Sequence, residues 1–124
     1  MEKPISRQVH AFIDYAYAHV VLAAPEVFEF DNHQKASLIA RSLSGSVFLT
    51  SLLTRYEGGL FRVLPFKTHL TLDYAASIFA VCSPWLFSFS KRTRVRNTFI
   101  AIGLAGLLVA SLTEDEEMAV SKRI

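Results

Sequence analysis

One pattern is written twice in this chain, and that repetition limits the fold more than any other feature. The stretch HAFIDYAYAHVVLAAPEVFEF (His10 to Phe30) lies over HLTLDYAASIFAVCSPWLFSF (His69 to Phe89) without a gap, with seven identical residues. The offset of 59 pairs His10 with His69, Asp14 with Asp73, Tyr15 with Tyr74, Ala16 with Ala75, Pro25 with Pro84, Phe28 with Phe87 and Phe30 with Phe89. Continued further, it pairs Leu49 with Leu108, Leu53 with Leu112, Thr54 with Thr113 and Glu57 with Glu116. Chance matching of apolar residues does not supply coincident His, Asp, Pro and Glu. The chain therefore reads as a tandem duplication within a single domain over 1–124, with repeat 1 at about 8–57 and repeat 2 at about 67–116.

Each repeat is long enough for two helices. Tyr74–Ser90 and Asn97–Thr113 are each 17 residues without Lys, Arg, Asp or Glu, and the whole chain is 52% apolar with mean hydropathy +0.32. About 17 to 25 apolar residues are needed to cross a hydrocarbon core. The blocks at Ala11–Phe30 and Ala36–Thr54 are interrupted by Asp14, Glu26, Glu29 and Arg41. With the repeat in view they read as the same two spans. The expected fold is all-α, four transmembrane helices centred near residues 20, 45, 79 and 105, with the repeats related by a pseudo-twofold axis along the membrane normal. Lys3 and Arg7 before an apolar segment imitate a secretory leader, but a cleaved leader has no reason to recur at residues 69–89.

Pro25 and Pro84 fall late in the first helix of each unit, where loss of a backbone donor predicts a helix kink near residues 21 and 80, or termination and an interfacial turn. Phe28, Phe30, Trp85, Phe87 and Phe89 would then mark one membrane boundary, and Tyr56, Phe61 and Phe66 the other. SLSGS in one return helix, opposite Ala101, Gly103, Ala105 and Gly106 in the other, predicts a strip of small residues for close helix packing. The four basic residues of Lys91–Arg96 place that connector inside the cell and both termini outside. Cys82, the single cysteine, excludes an intrachain disulfide and reads as a small buried residue. A net charge of +2 does not suggest nucleic acid.

The polar helix start, the apolar run and SPWLFSF (Ser83 to Phe89) together resemble the SPW-repeat group of small bacterial and archaeal integral membrane proteins. The tripeptide is complete in the second copy, whereas the first has Ala24, Pro25 and Glu26. The resemblance implies a small multi-pass helical protein of a bacterial or archaeal inner membrane. It implies no activity.

Within each repeat the His and Asp are four residues apart and project from one helix face. If helices 1 and 3 meet at the pseudo-twofold axis, His10, Asp14, His69 and Asp73 converge at one depth, with Arg41 a candidate counter-ion. Three readings are open: a structural polar cluster, a metal site of the kind that suits zinc or iron, and a proton-carrying or cation-binding group. His19, which aligns with Ile78, is a heme or metal ligand on one reading and a hydrogen-bonded core residue on the other. Gly58 and Gly59 read as a turn, and Glu114–Glu117 as a solvated end to the last span. No nucleophile elbow or phosphate-binding loop is present, so no catalytic residue is assigned. The expected role is an accessory or oligomerising module in the lipid bilayer, as a homo-oligomer or part of a larger assembly. The alternatives are a small transporter or a metal- or heme-binding redox protein using the His and Asp pairs, and a soluble four-helix bundle.

Overall fold

Four helices form where the sequence places long apolar runs between breakers. The computed structural model describes residues 3–118: α1 (Arg7–Val27), α2 (Gln34–Leu53), α3 (Phe66–Leu86) and α4 (Thr93–Ser111). Their centres lie slightly N-terminal of the expected ones, because each helix starts earlier than its apolar run. Ser6 accepts from the Val9 amide at 3.2 Å and starts α1. The His33 ring nitrogen does the same for α2, accepting from the Ala36 amide at 3.2 Å. No side chain of its own caps α3. Glu117, from beyond α4, accepts from the Phe66 and Lys67 amides at 2.9 Å each and places a carboxylate on the positive end of the helix. The acidic run is thus engaged with α3, not merely a solvated end.

The offset of 59 recurs in structural detail. α1 and α3 begin at Arg7 and Phe66, and α2 and α4 at Gln34 and Thr93. Both α1 and α3 end two residues past their proline, and the amides of Phe30 and Phe89 bond to the Pro25 and Pro84 carbonyls at 2.8 Å each. Glu29 and Ser88 take left-handed φ of 60° and 63° to make the same turn. The prolines therefore sit in the terminating last turn.

Within each repeat the two helices pack as an antiparallel hairpin, and contact between hairpins is sparser. In the first hairpin Ser44 Oγ donates to the Ala18 carbonyl at 2.7 Å. The equivalent crossing in the second uses Gly103, where an added Cβ would lie 2.5 Å from the Ser77 carbonyl oxygen. Contacts between repeats are reciprocal: Ile5 bridges to Thr113 and Leu64 to Thr54. Reciprocal pairing of equivalent residues is the mark of a twofold relation. Both first helices start at the same end, so that relation runs along the bundle.

Alanines line the helix contacts, aromatic residues fill much of the remaining interior, and many large apolar side chains cover the outside. Ala18, Ala24, Ala36 and Ala40 are fully buried, whereas Phe12 is 76% and Leu38 68% exposed, with Leu49, Ile78, Leu104 and Leu108 also turned outward. α2 and α4 are long and apolar enough to cross a membrane. α1 and α3 are of similar length, but carry the His and Asp residues that lower their hydropathy. The aromatic residues divide differently from the two expected boundaries. Phe30 and Phe89 are buried and pack against Phe99 at ring separations of 6.1 and 5.1 Å, while Phe28 and Trp85 are exposed. Tyr56 and Phe66 are buried as well, and only Phe61 of that group is exposed. Cys82 is exposed, contrary to the packing role expected of it, because it falls on the outward face of α3 beside Phe79 and Leu86.

Candidate metal centre

The first two turns of α1 and α3 bring their polar residues together at the end of the bundle where both helices start. His10 and His69 are 1% and 0% exposed, and their rings meet edge to face at 5.5 Å. Around them, His10 Nε2 lies 3.2 Å from Asp14 Oδ1 and 3.0 Å from Asp73 Oδ2, and His69 Nε2 lies 2.9 Å from Asp14 Oδ2 and 3.2 Å from Asp73 Oδ2. Each imidazole therefore faces the aspartate of its own repeat and that of the other. Phe66 and Tyr56 pack over the rings, at 5.4 Å from His10 and 5.2 Å from His69 respectively, and separate the cluster from the end of the bundle.

The far side of each ring fixes its tautomer. His69 Nδ1 lies 2.6 Å from Thr54 Oγ1, and His10 Nδ1 lies 2.8 Å from Thr113 Oγ1. Both hydroxyls already donate to the carbonyl four residues back, Thr54 to Thr50 at 2.5 Å and Thr113 to Val109 at 2.6 Å. A hydroxyl has one proton, so each threonine can only accept from its histidine. Nδ1 then carries hydrogen, and the Nε2 of a neutral ring presents a lone pair to two carboxylates. That arrangement is repulsive unless a proton or a cation stands between. His10 Nε2 has the alignment to donate to Asp73, whereas His69 Nε2 is buried without a hydrogen-bond partner among the described residues despite its short distances.

The four ligand atoms, one from each of His10, Asp14, His69 and Asp73, lie within 4.8 Å of one another. A tetrahedral ion with bonds of about 2.0–2.2 Å spaces its ligand atoms about 3.3–3.6 Å apart. The N···O separations of 2.9–3.2 Å, which take both oxygens of Asp14, are shorter than this, and the ligand atoms as a set lie within 4.8 Å, so the side chains would readjust around an ion. Charge fits as well, since two neutral imidazoles and two carboxylates match one divalent cation. Imidazole with carboxylate suits zinc or iron, and the threonines supply the bonds that orient ligating histidines.

The two halves of the site are not equal. Asp14 is the more deeply buried aspartate and accepts from Tyr56 Oη at 2.7 Å. Burial and the Asp14 charge push the Tyr56 hydroxyl well above the ordinary tyrosine range, so it remains a donor. The position equivalent to Tyr56 is Asp115, which is exposed. Asp73 has no such partner and its side chain is 19% accessible.

Arg41 lies outside the cluster and pairs with Glu26, because antiparallel packing sets the start of α2 beside the end of α1, at the opposite end of the bundle from the histidines. His19 is also outside: its Nδ1 bonds to the Tyr15 carbonyl at 2.7 Å and its ring stands edge-on to Phe48 at 5.1 Å, on an exposed face. Thr54 and Thr113 join the cluster although motif reading left them without a role, and Tyr56, expected at a membrane boundary, is buried against it. The Thr54 and Thr113 match at the repeat offset was the signal for two of them; Tyr56, absent from the second copy, gave none. No family model, no curated protein and no solved structure matches the chain.

Proposed function

We propose that this chain is a small multi-pass integral membrane protein, an accessory module whose two repeats are joined by one divalent transition metal ion held by His10, Asp14, His69 and Asp73. What supports the metal reading is the convergence: with both Nδ1 atoms facing threonine hydroxyls, the two Nε2 atoms and two carboxylates meet in a buried space where either a proton on each ring or a shared cation has to stand between them, and the four residues offer one ligand atom each to a single ion. An apolar interior tolerates buried carboxylates only when they are compensated. A bound ion supplies that compensation and, if it is iron, a one-electron couple.

The membrane part rests on the apolar exterior. Many large apolar side chains, Phe12, Leu38, Leu49, Ile78, Leu104 and Leu108 among them, face outward along the helices, as expected where lipid is the solvent, although Phe30, Phe66, Phe89 and Phe99 are buried. All four helices cross the bilayer in this reading, α1 and α3 with their polar residues turned inward. The likeness of Ser83–Phe89 to the SPW-repeat proteins agrees with it. Elemental analysis of protein purified in detergent tests the proposal: about one equivalent of zinc or iron per chain is expected in the wild type and a small fraction of that in a His10→Ala, His69→Ala double variant. Metal-free wild-type protein, even after incubation with zinc or iron and desalting, would contradict it.

A further inference from the structure

The two hairpins meet along two seams, α1 with α4 and α2 with α3, and the repeat makes these seams equivalent. They are nevertheless different. At the α1–α4 seam the Tyr17 hydroxyl donates to the Ile102 carbonyl at 2.7 Å, and the ring fills the space between the helices. The residue equivalent to Tyr17 is Ala76. With that ring missing, the α2–α3 seam opens into a cleft of about 590 Å³ whose walls include Leu38, Ser42, Ser46, Leu72 and Phe79 and whose lining includes Asp73. Asp73 also borders a smaller pocket of about 30 Å³ lined by His10, Asp14 and Tyr17, large enough for a water molecule. The two share Leu43, Val47, Asp73 and Ala76, and Asp73 is the residue of the polar cluster that lines the cleft.

Asp73, which lines the cleft, has a carboxylate oxygen that no hydrogen bond among the described residues uses. Both histidines approach its Oδ2, while Oδ1 has no hydrogen bond among the described residues. Asp14, by contrast, uses both oxygens, and Tyr56 adds a further donor to one of them. Ser42 and Ser46, one helical turn apart on α2, bring hydroxyls to the same cleft. Their equivalents at the closed seam are Ala101 and Ala105. Three changes coincide on one side: the blocking ring is absent, hydroxyls appear and a carboxylate oxygen is left free.

We infer that the α2–α3 cleft is a binding site for a membrane-soluble alcohol or phenol, which enters sideways from the bilayer with its apolar body against Leu38, Leu72 and Phe79 and its hydroxyl donating to Asp73. A hydroxyl suits the site because it both donates to a carboxylate and accepts from serine. A charged head group would have to leave water to reach this depth, and a hydrocarbon would leave the acceptor unpaired. The inference rests on the membrane reading and not on the metal.

The test uses full-length protein in nanodiscs and a 4-alkylphenol carrying a diazirine on its chain, with labelled residues mapped by mass spectrometry. Labelling is expected to concentrate on α2 and α3 around Leu38, Leu72 and Phe79. Unlabelled 4-nonylphenol should compete at about tenfold lower concentration than nonylbenzene, the effect of one hydrogen bond to a charged group. Ala76→Tyr, which copies the closed seam, should abolish the labelling, as should Ser46→Phe if the first variant does not fold. Uniform labelling of all four helices, equal competition by nonylbenzene, or labelling that survives in a folded cleft-filling variant would overturn the inference. A chain that is soluble without detergent would overturn the membrane reading separately, and the same labelling in buffer would then decide the cleft alone.

Discussion

Asp14 and Asp73 occupy equivalent places in the repeat, and symmetry alone predicts equal cost on replacing either. The structure predicts otherwise. Asp14 is the more buried and holds the Tyr56 hydroxyl, so Asp14→Ala should destabilise by about 1–3 kcal/mol and Asp73→Ala by clearly less, as measured by thermal melts in detergent. On the metal proposal, Thr54→Val and Thr113→Val each remove the partner of one Nδ1 and should weaken metal binding by about 10- to 100-fold, measured by competition with a chelator. Arg7 and Glu57 form a two-point contact, at 3.0 and 2.8 Å, that ties the start of α1 to the connector after α2. Arg7 lowers the Glu57 carboxyl below its ordinary range. A lowered carboxylate contributes stability that is complete above the ordinary pKa and is lost as pH falls through the folded value. Glu57→Gln should therefore cost at most about 1 kcal/mol at neutral pH, since the pair is partly solvated, and its melts should converge with the wild type on acidification. The four residues of the His and Asp cluster were legible from the sequence because duplication marked them; Tyr56 and Arg41 were misjudged because their surroundings depend on which helix ends meet, which spacing within one helix does not encode.

Helix packing depends on where the second repeat has lost its side chains. A Cβ on Gly103 would lie 2.5 Å from the Ser77 carbonyl oxygen and 2.9 Å from the Val81 amide, both backbone atoms that cannot turn aside. Gly103→Ala should force α3 and α4 apart and cost about 1–3 kcal/mol. Gly45, in the middle of α2, has none of the described residues within 4 Å of an added Cβ, and Gly45→Ala should leave the fold as stable or gain up to about 1 kcal/mol from helix propensity. The pair of melts distinguishes close approach from mere smallness. At this scale the sequence was largely sufficient, since apolar run length set the four helices and the prolines set two of their ends. It did not show which small residues touch, because the small-residue strip carries no sign of which neighbour it faces.

For the whole molecule, the repeat alone was enough to expect two hairpins related by a twofold, and the reciprocal contacts Ile5 with Thr113 and Leu64 with Thr54 have that form. In the membrane reading, Lys91, Arg92, Arg94 and Arg96 within one short connector are expected to hold the turn end inside the cell, against Lys3, Arg7, Arg55, Arg62 and Lys67 at the termini end. A cysteine at Asn32, introduced with Cys82→Ser, should be labelled by an impermeant maleimide only after the cell is opened; labelling of intact cells would reverse the topology. The central claim, that one ion joins the repeats through two imidazoles and two carboxylates, is tested most directly by X-ray absorption at the metal edge of the purified protein. The account predicts four nitrogen and oxygen neighbours at about 2.0–2.2 Å, two of them with the outer-shell scattering of imidazole. A shell of six light atoms without imidazole scattering, a sulfur neighbour, or an unchanged spectrum in the His10→Ala, His69→Ala variant would contradict it.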